Sequence, residues 1–236
     1  MRNIYALLAI AAVLVANAYA ETRSSNENDL PALACRYETT HENTSVSGAN
    51  PQEKLTSSYL WREATRVETR DAGGKTGAVW ERGSNGEIFY RKLYHQARKA
   101  IEYYPDDLRA AGHYPRWPAV ASIFDPELLG SKLKQLGQEV YMGRNAERYR
   151  GEMDGVTIEV LWLTQERLPA LVKKATANRS DMLRLAEIWP LELAPWASST
   201  RVELDQYEHL DFADLGDKES DPFVKWAVGE SQVHQH

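Results

Sequence analysis

Cysteine is nearly missing from this chain of 236 residues: Cys35 stands alone, so no disulfide can form within it. A domain of this size must then be held by its apolar core rather than by covalent staples. Long apolar runs are equally scarce. Residues 4–16 form one, and nothing after them approaches the roughly 20 apolar residues that a membrane-crossing helix needs. A basic surplus is also lacking, since 28 Lys and Arg stand against 34 Asp and Glu for a formal net charge of −6. That balance argues against nucleic acid and against anchoring on anionic lipid, both of which want a basic face. The chain has no Gly-x-Ser-x-Gly, no His-Glu-x-x-His, no Cys-x-x-Cys and no glycine-rich phosphate loop. No reaction is assigned by motif, and no cofactor is implied.

What is present begins with a leader. Arg2 precedes the apolar run, and Ala18-Tyr19-Ala20 puts small residues where a signal peptidase reads, just before Glu21. Residues 1–20 are therefore expected to be a secretory signal, and the rest an exported protein of the bacterial periplasm. Arg2 is the only charge in that leader, so its removal leaves the chain more acidic still. Cys35 follows Ala32-Leu33-Ala34, a loose likeness to a lipobox that carries Ala where Leu is usual and lies far from the apolar run. A buried or intermolecularly pairing thiol at the start of a first strand is the expectation. Residues 21–57 read as a flexible N-terminal segment with that first strand, 58–226 as a single domain, and 227–236 as a frayed tail.

The middle reads as strands. Residues 58–70 come close to period two, with Trp61, Thr65 and Val67 on one side and Arg62, Arg66, Glu68 and Arg70 on or near the other. Strands over 77–82 and 87–94 flank Ser84-Asn85-Gly86, a tight hairpin signal, and 99–104 adds another. The pattern then switches to short helical segments at 105–112 and 118–124. A third helix is expected from Asp125-Pro126, with Leu128, Leu129, Leu133 and Leu136 on one face and Gly137 ending it. Strands return over 140–150 and 156–163 around Asp154-Gly155, then over 170–175, 182–189 and 201–209. The fold class is mainly β with a helical insertion: a curved antiparallel sheet, an unclosed half-barrel of about eight to ten strands covered by helices.

Three segments carry a family likeness: the aromatic hairpin 77–90, the helical block 106–138 with its prolines, and the returning strands 143–151 and 161–169 with Leu168-Pro169. In order and pattern the chain resembles the LolA/LolB-like superfamily of periplasmic lipoprotein carriers and their outer-membrane receptors. The resemblance implies an open half-barrel with helices plugging an apolar cavity for acyl chains, and a partner that is a hydrophobic ligand or a lipidated protein. The aspartate-proline signature usual after the aromatic strand is absent, so no binding residue is carried over by position.

The aromatic residues give the ligand reading its own content. Of seven Trp, Trp61, Trp80 and Trp162 sit in strands, as does Phe89, and these four are the expected ligand-binding residues. Rings of that size bury ~150–250 Å² each, enough to line a pocket, although rings in alternating strands serve equally as core. No metal is expected: the six histidines lack ligand spacing outside the tail pair His234 and His236. His95 or His113 beside Asp106 or Asp107 offers only a distant general-base reading. Residues 211–223 hold Asp211, Asp214, Asp217, Glu219 and Asp221. They match no EF-hand, and Asp221-Pro222 reads as a cap for a following helix. A protein partner docking on a sheet edge or on this acidic segment is the alternative function.

Overall fold

The computed structural model describes residues 30–43, 54–112 and 114–233. The expected leader, most of 21–31, His113, His234 and His236 lie outside the described residues. Six strands come first: β1 (Leu33–Asn43), β2 (Lys54–Arg62), β3 (Arg66–Asp71), β4 (Thr76–Arg82), β5 (Ile88–Tyr94) and β6 (Lys99–Tyr103). Three short helices follow, α1 (Pro105–Ala110), α2 (Trp117–Ala121) and α3 (Leu128–Ser131). Then come β7 (Lys134–Tyr141), β8 (Arg144–Met153), β9 (Val156–Leu163), β10 (Leu168–Ala175) and β11 (Arg179–Pro190). The chain closes with α4 (Arg201–Leu204), β12 (Glu208–Asp211) and α5 (Pro222–Val233), so α5 enters the span expected as tail.

All the strands join one sheet, in the order β12-β6-β5-β4-β3-β2-β1-β11-β10-β9-β8-β7. Each pairing is antiparallel except β12 with β6, which is parallel. The sheet stays open, with β7 and β12 as its edges. It also curls. On a flat sheet β7 and β11 would lie about 19 Å apart; here Tyr141 Oη donates to the Leu185 carbonyl at 2.6 Å. The expected unclosed half-barrel with a helical insertion is the architecture found.

Local chemistry explains the hairpins. Asp154 and Gly155 take φ of 51° and 76°, the left-handed pair a two-residue turn needs. Asn85 Oδ1 accepts from Glu87 N at 3.1 Å to close the β4–β5 connection. Asp221 Oδ1 accepts from Phe223 N at 2.7 Å and so caps α5 as its sequence predicts.

Four expectations are corrected. Residues 58–70 are two strands, because the chain reverses at 63–65, where Glu63 N bonds to Arg66 O at 2.8 Å. No Gly, Pro, Asn or Asp marks that turn, and it resets the alternation that follows. The helix predicted from Asp125 stops after one turn, since Gly130 adopts φ 76°. Residues 134–141 then pair with β8, leaving Gly137 inside a strand and Leu136 54% exposed. Accordingly the strand expected over 140–150 is the end of β7, a turn at 142–143, and β8. The last strand, predicted over 201–209, begins instead as α4. Thr200 and Glu203 form a capping box, with Thr200 Oγ1 accepting from Glu203 N at 3.1 Å.

Candidate functional site

The inner face of the curl is apolar and covered. Leu33, Cys35 and Tyr37 of β1 pack with Leu60, Val67, Ile88 and Leu185, and Trp117 and Ala121 of α2 lie over them. The cover reaches the sheet by few polar contacts. Tyr114 Oη accepts from Ile88 N at 3.1 Å and donates to Glu87 at 2.9 Å, and Arg109 pairs with Glu87 at 2.6 Å. The Arg82 guanidinium stands 5.2 Å over the Trp117 ring.

Arg62 is the centre of this arrangement. It leaves the end of β2 toward the inner face and is fully buried. Its guanidinium faces backbone carbonyls: Ala121 at 3.1 Å, Glu166 at 2.5 Å, Arg167 at 3.3 Å and Pro31 at 3.2 Å. One side chain therefore ties the end of α2, the β9–β10 turn and the segment entering β1. The planar fork of donors suits divergent carbonyls as an ammonium would not. Burial lowers its pKa to about 10, which leaves it charged at neutral pH. The neighbouring Cys35 thiol is pushed up to about 12 by burial, so it is an inert core group.

The register separates the four expected rings. Trp80 stands opposite Val67 and Tyr90, stacks on Tyr90 at 4.1 Å, and packs on the core beneath α2. Trp61 stands opposite Glu68 and faces the other way, its Nε1 donating to the Trp196 carbonyl at 3.2 Å. Phe89 shares that outer face opposite Glu81, 37% exposed. Trp162 joins a different cluster with Leu133 and Val160, where Phe124 from the end of the cover lies 6.4 Å away. Trp80 and Trp162 thus meet the covering segment, while Trp61 and Phe89 do not.

The outer face carries a second buried charge. Glu68 is fully buried, and its carboxylate accepts from Arg66 at 2.7 Å, Arg70 at 2.5 Å and Ser199 N at 3.0 Å. Ser199 Oγ also donates to it at 2.9 Å, while Arg66 donates to the Ser199 carbonyl at 3.0 Å. These bonds fasten residues 196–199 across β2 and β3. Sequence reading placed Arg62, Arg66, Glu68 and Arg70 together on or near one side. The turn at 63–65 sends Arg62 inward and the other three outward. The one available hint was four charges crowded into a strand of otherwise buried length.

Beside this strap lies a cleft of about 400 Å³ lined by His95, Arg98, Ser198, Tyr207 and their neighbours. His95 Nδ1 meets Tyr207 Oη at 2.9 Å, and Nε2 is buried over Gly77, where an added Cβ would come within 2.8 Å. Burial, then the nearby Arg70 charge, lowers the His95 pKa from 6.5. The ring is held through Nδ1 by Tyr207, while its buried Nε2 makes no hydrogen bond. Linkage gives the sign: the folded chain binds fewer protons here than the unfolded chain. Stability is therefore expected to fall as pH drops below 6.5 and to level below the folded pKa. Tm measured from pH 7.5 to 5 in the wild type and in His95→Gln checks this; the substitution should flatten the slope. Among the described residues no group of three or more His, Cys, Asp and Glu is placed to hold a metal ion.

Fold and inner face together define an open half-barrel with a latched helical cover. No protein-family model matches the chain, and no curated protein matches it. Similar solved structures include the Pseudomonas aeruginosa MucA/MucB complex, at 14% identity over 76% of this chain and TM-score 0.44. The chain spans 56% of the length of that match. PNGF-II is similar at 13% identity over 78% of this chain and 32% of that one, TM-score 0.38. A Vibrio parahaemolyticus domain described as an outer-membrane lipoprotein-sorting protein matches at 8% identity, covering 75% of this chain and 90% of its own, TM-score 0.31. At these identities no ligand or partner passes from those proteins to this chain.

Proposed function

We propose that this chain is an exported, non-catalytic binding protein that shelters a hydrophobic, acyl-chain-like moiety on the inner face of its half-barrel. The moiety belongs to a lipid or to a lipidated protein. One observation carries the reading: a wide apolar wall is covered by a five-residue helix held through a buried arginine and backbone carbonyls. A cover of that kind is separable from the wall. Its largest apolar contribution is Trp117, and burying ~150–250 Å² at about 25 cal/mol per Å² stabilises the closed form by about 4–6 kcal/mol. An acyl chain of about fourteen carbons, at about 0.8 kcal/mol per methylene, offers about 10 kcal/mol in exchange. With the Arg62 bond to Ala121 also to be broken, the exchange is near balance, so ligand competes with the cover for the wall, with Trp80 and Trp162 near its path.

The experiment is native purification with lipid extraction and mass spectrometry, followed by thermal shift with palmitate and a synthetic diacyl lipopeptide. Co-purifying lipid and a rise in Tm of several degrees are expected. A clean extract and an unmoved Tm across both ligands would end this reading.

A further inference from the structure

A row of aromatic rings starts beneath the cover and leaves it across the inner face. Trp80 stands opposite Tyr90, and Tyr90 opposite Tyr103, so the register puts all three on the face that Val67 shares. Phe212 completes the row, one residue past β12. Ring centroids lie 4.1 Å apart from Trp80 to Tyr90, 5.1 Å from Tyr90 to Tyr103 and 4.5 Å from Tyr103 to Phe212, at interplanar angles of 25°, 39° and 25°. Trp80 packs on the core beneath α2, while Tyr103 and Phe212 pack on the cluster that Leu210 forms with Val224 of α5. Tyr90 bridges the two. All four rings are half-buried. Burial raises the pKa of the Tyr90 phenol above its usual 10, the mark of surroundings poor in water. The flanking Arg82 and Lys92 reach to either side, over Trp117 at 5.2 Å and over Tyr94 at 5.4 Å.

Stacking decides what the row accepts. At these separations two rings cannot lie side by side in one plane, so each covers the face of the next and turns an edge to the hollow of the sheet. A nucleobase, a sugar ring or a cation binds over a ring face, and Tyr90 and Tyr103 have a ring against each side. An alkyl chain asks only for continuous apolar surface, and a line of ring edges supplies it. We propose that the row is a second subsite for an alkyl chain, continuous at Trp80 with the wall beneath the cover and running from there toward α5. The inference rests on the acyl-sheltering reading for the nature of the ligand, and adds where its chain first docks. The rings are partly open already, so docking there breaks no bond of Arg62 to the cover. A longer chain then extends past Trp80 beneath α2 and competes with the cover.

The test uses a neutral chain too short to fill both parts, ω-bromodecanol, whose bromine quenches tryptophan on contact. Titrated into the full chain, it is expected to quench Trp emission and to saturate below about 1 mM. Trp80→Phe keeps a ring in place; it should remove most of the quenching while decanol still binds within about twofold by calorimetry. Trp162→Phe should leave the quenching as it is. Phe212→Ser, at the end of the row, should weaken the short chain about fivefold, and Phe212→Leu, which keeps apolar bulk, should recover most of that. Arg62→Leu should tighten palmitate and leave decanol unchanged, because only the longer chain meets the cover. No saturation with the short chain while palmitate still raises Tm overturns the subsite and leaves the wall standing. Saturation without any effect of palmitate keeps the subsite and removes the sheltering role. Quenching that persists in Trp80→Phe, or displacement of decanol by maltotriose, overturns the subsite as well.

Discussion

Replacing Arg62 with leucine is expected to lower the unfolding free energy by about 3–5 kcal/mol and to raise binding of an apolar fluorophore to the folded protein. The size follows from what is left behind. The carbonyls of Pro31, Ala121, Glu166 and Arg167 lose a common donor, and each buried acceptor without a partner costs about 1–3 kcal/mol. Removing the guanidinium also removes its own burial cost, so the total is well below the sum. The loss falls unevenly, because Ala121 belongs to the cover and the other carbonyls to the frame. The cover loses its bond to the frame at Ala121, while the β9–β10 turn and the segment entering β1 lose theirs to each other. Urea unfolding gives the stability change, and N-phenylnaphthylamine fluorescence at low urea reports the uncovered wall. Arg62→Lys keeps the charge with fewer, differently aimed donors and should lie between. Unchanged fluorescence in Arg62→Leu at full secondary structure would remove the latch from the mechanism.

Glu68→Gln should cost a comparable amount, about 3–5 kcal/mol, from the opposite face. The carboxylate is fully buried between Arg66, which is 5% exposed, and Arg70, and it holds Ser199 by both N–H and hydroxyl. An amide in its place keeps the shape but opposes two guanidinium groups with a donor of its own. The strap over β2 and β3 then loses its anchor. Equilibrium urea unfolding at neutral pH measures the loss, and Arg66→Met in the same chain should recover part of it, since the stranded cation is what makes the single change severe. A surface pair would give at most about 1 kcal/mol and lose it in salt; the Glu68 effect should persist at high ionic strength.

The features that were legible in the sequence are those with local causes. Asp154-Gly155 and Asn85-Gly86 predict hairpins because few residues tolerate the required backbone, and Asp221-Pro222 predicts a cap because its carboxylate reaches its own helix. The turn at 63–65 was not legible, since nothing at Glu63, Ala64 or Thr65 demands it; it is set by β3 pairing back on β2. Leu128 to Leu136 carries helical spacing, yet the helix ends at Ser131, with Gly130 at φ 76°, and pairing with β8 makes strand from Lys134 onward. Trp61 and Trp80 lie on opposite faces because the reversal at 63–65 pairs Trp61 with Glu68, while Trp80 stands opposite Val67.

By itself the sequence determined a β-rich chain held by an apolar core without disulfides, with helices interrupting its strands, because composition and period two act residue by residue. Only the tertiary structure decided that Arg62 and Glu68 are buried. A charge in a strand looks solvated until something covers it. The partners of these two, the Ala121 carbonyl and Ser199, lie 59 and 131 residues away. Curl of the sheet and crossing of the strap bring such groups within hydrogen-bond reach, and no local rule encodes a meeting at that separation.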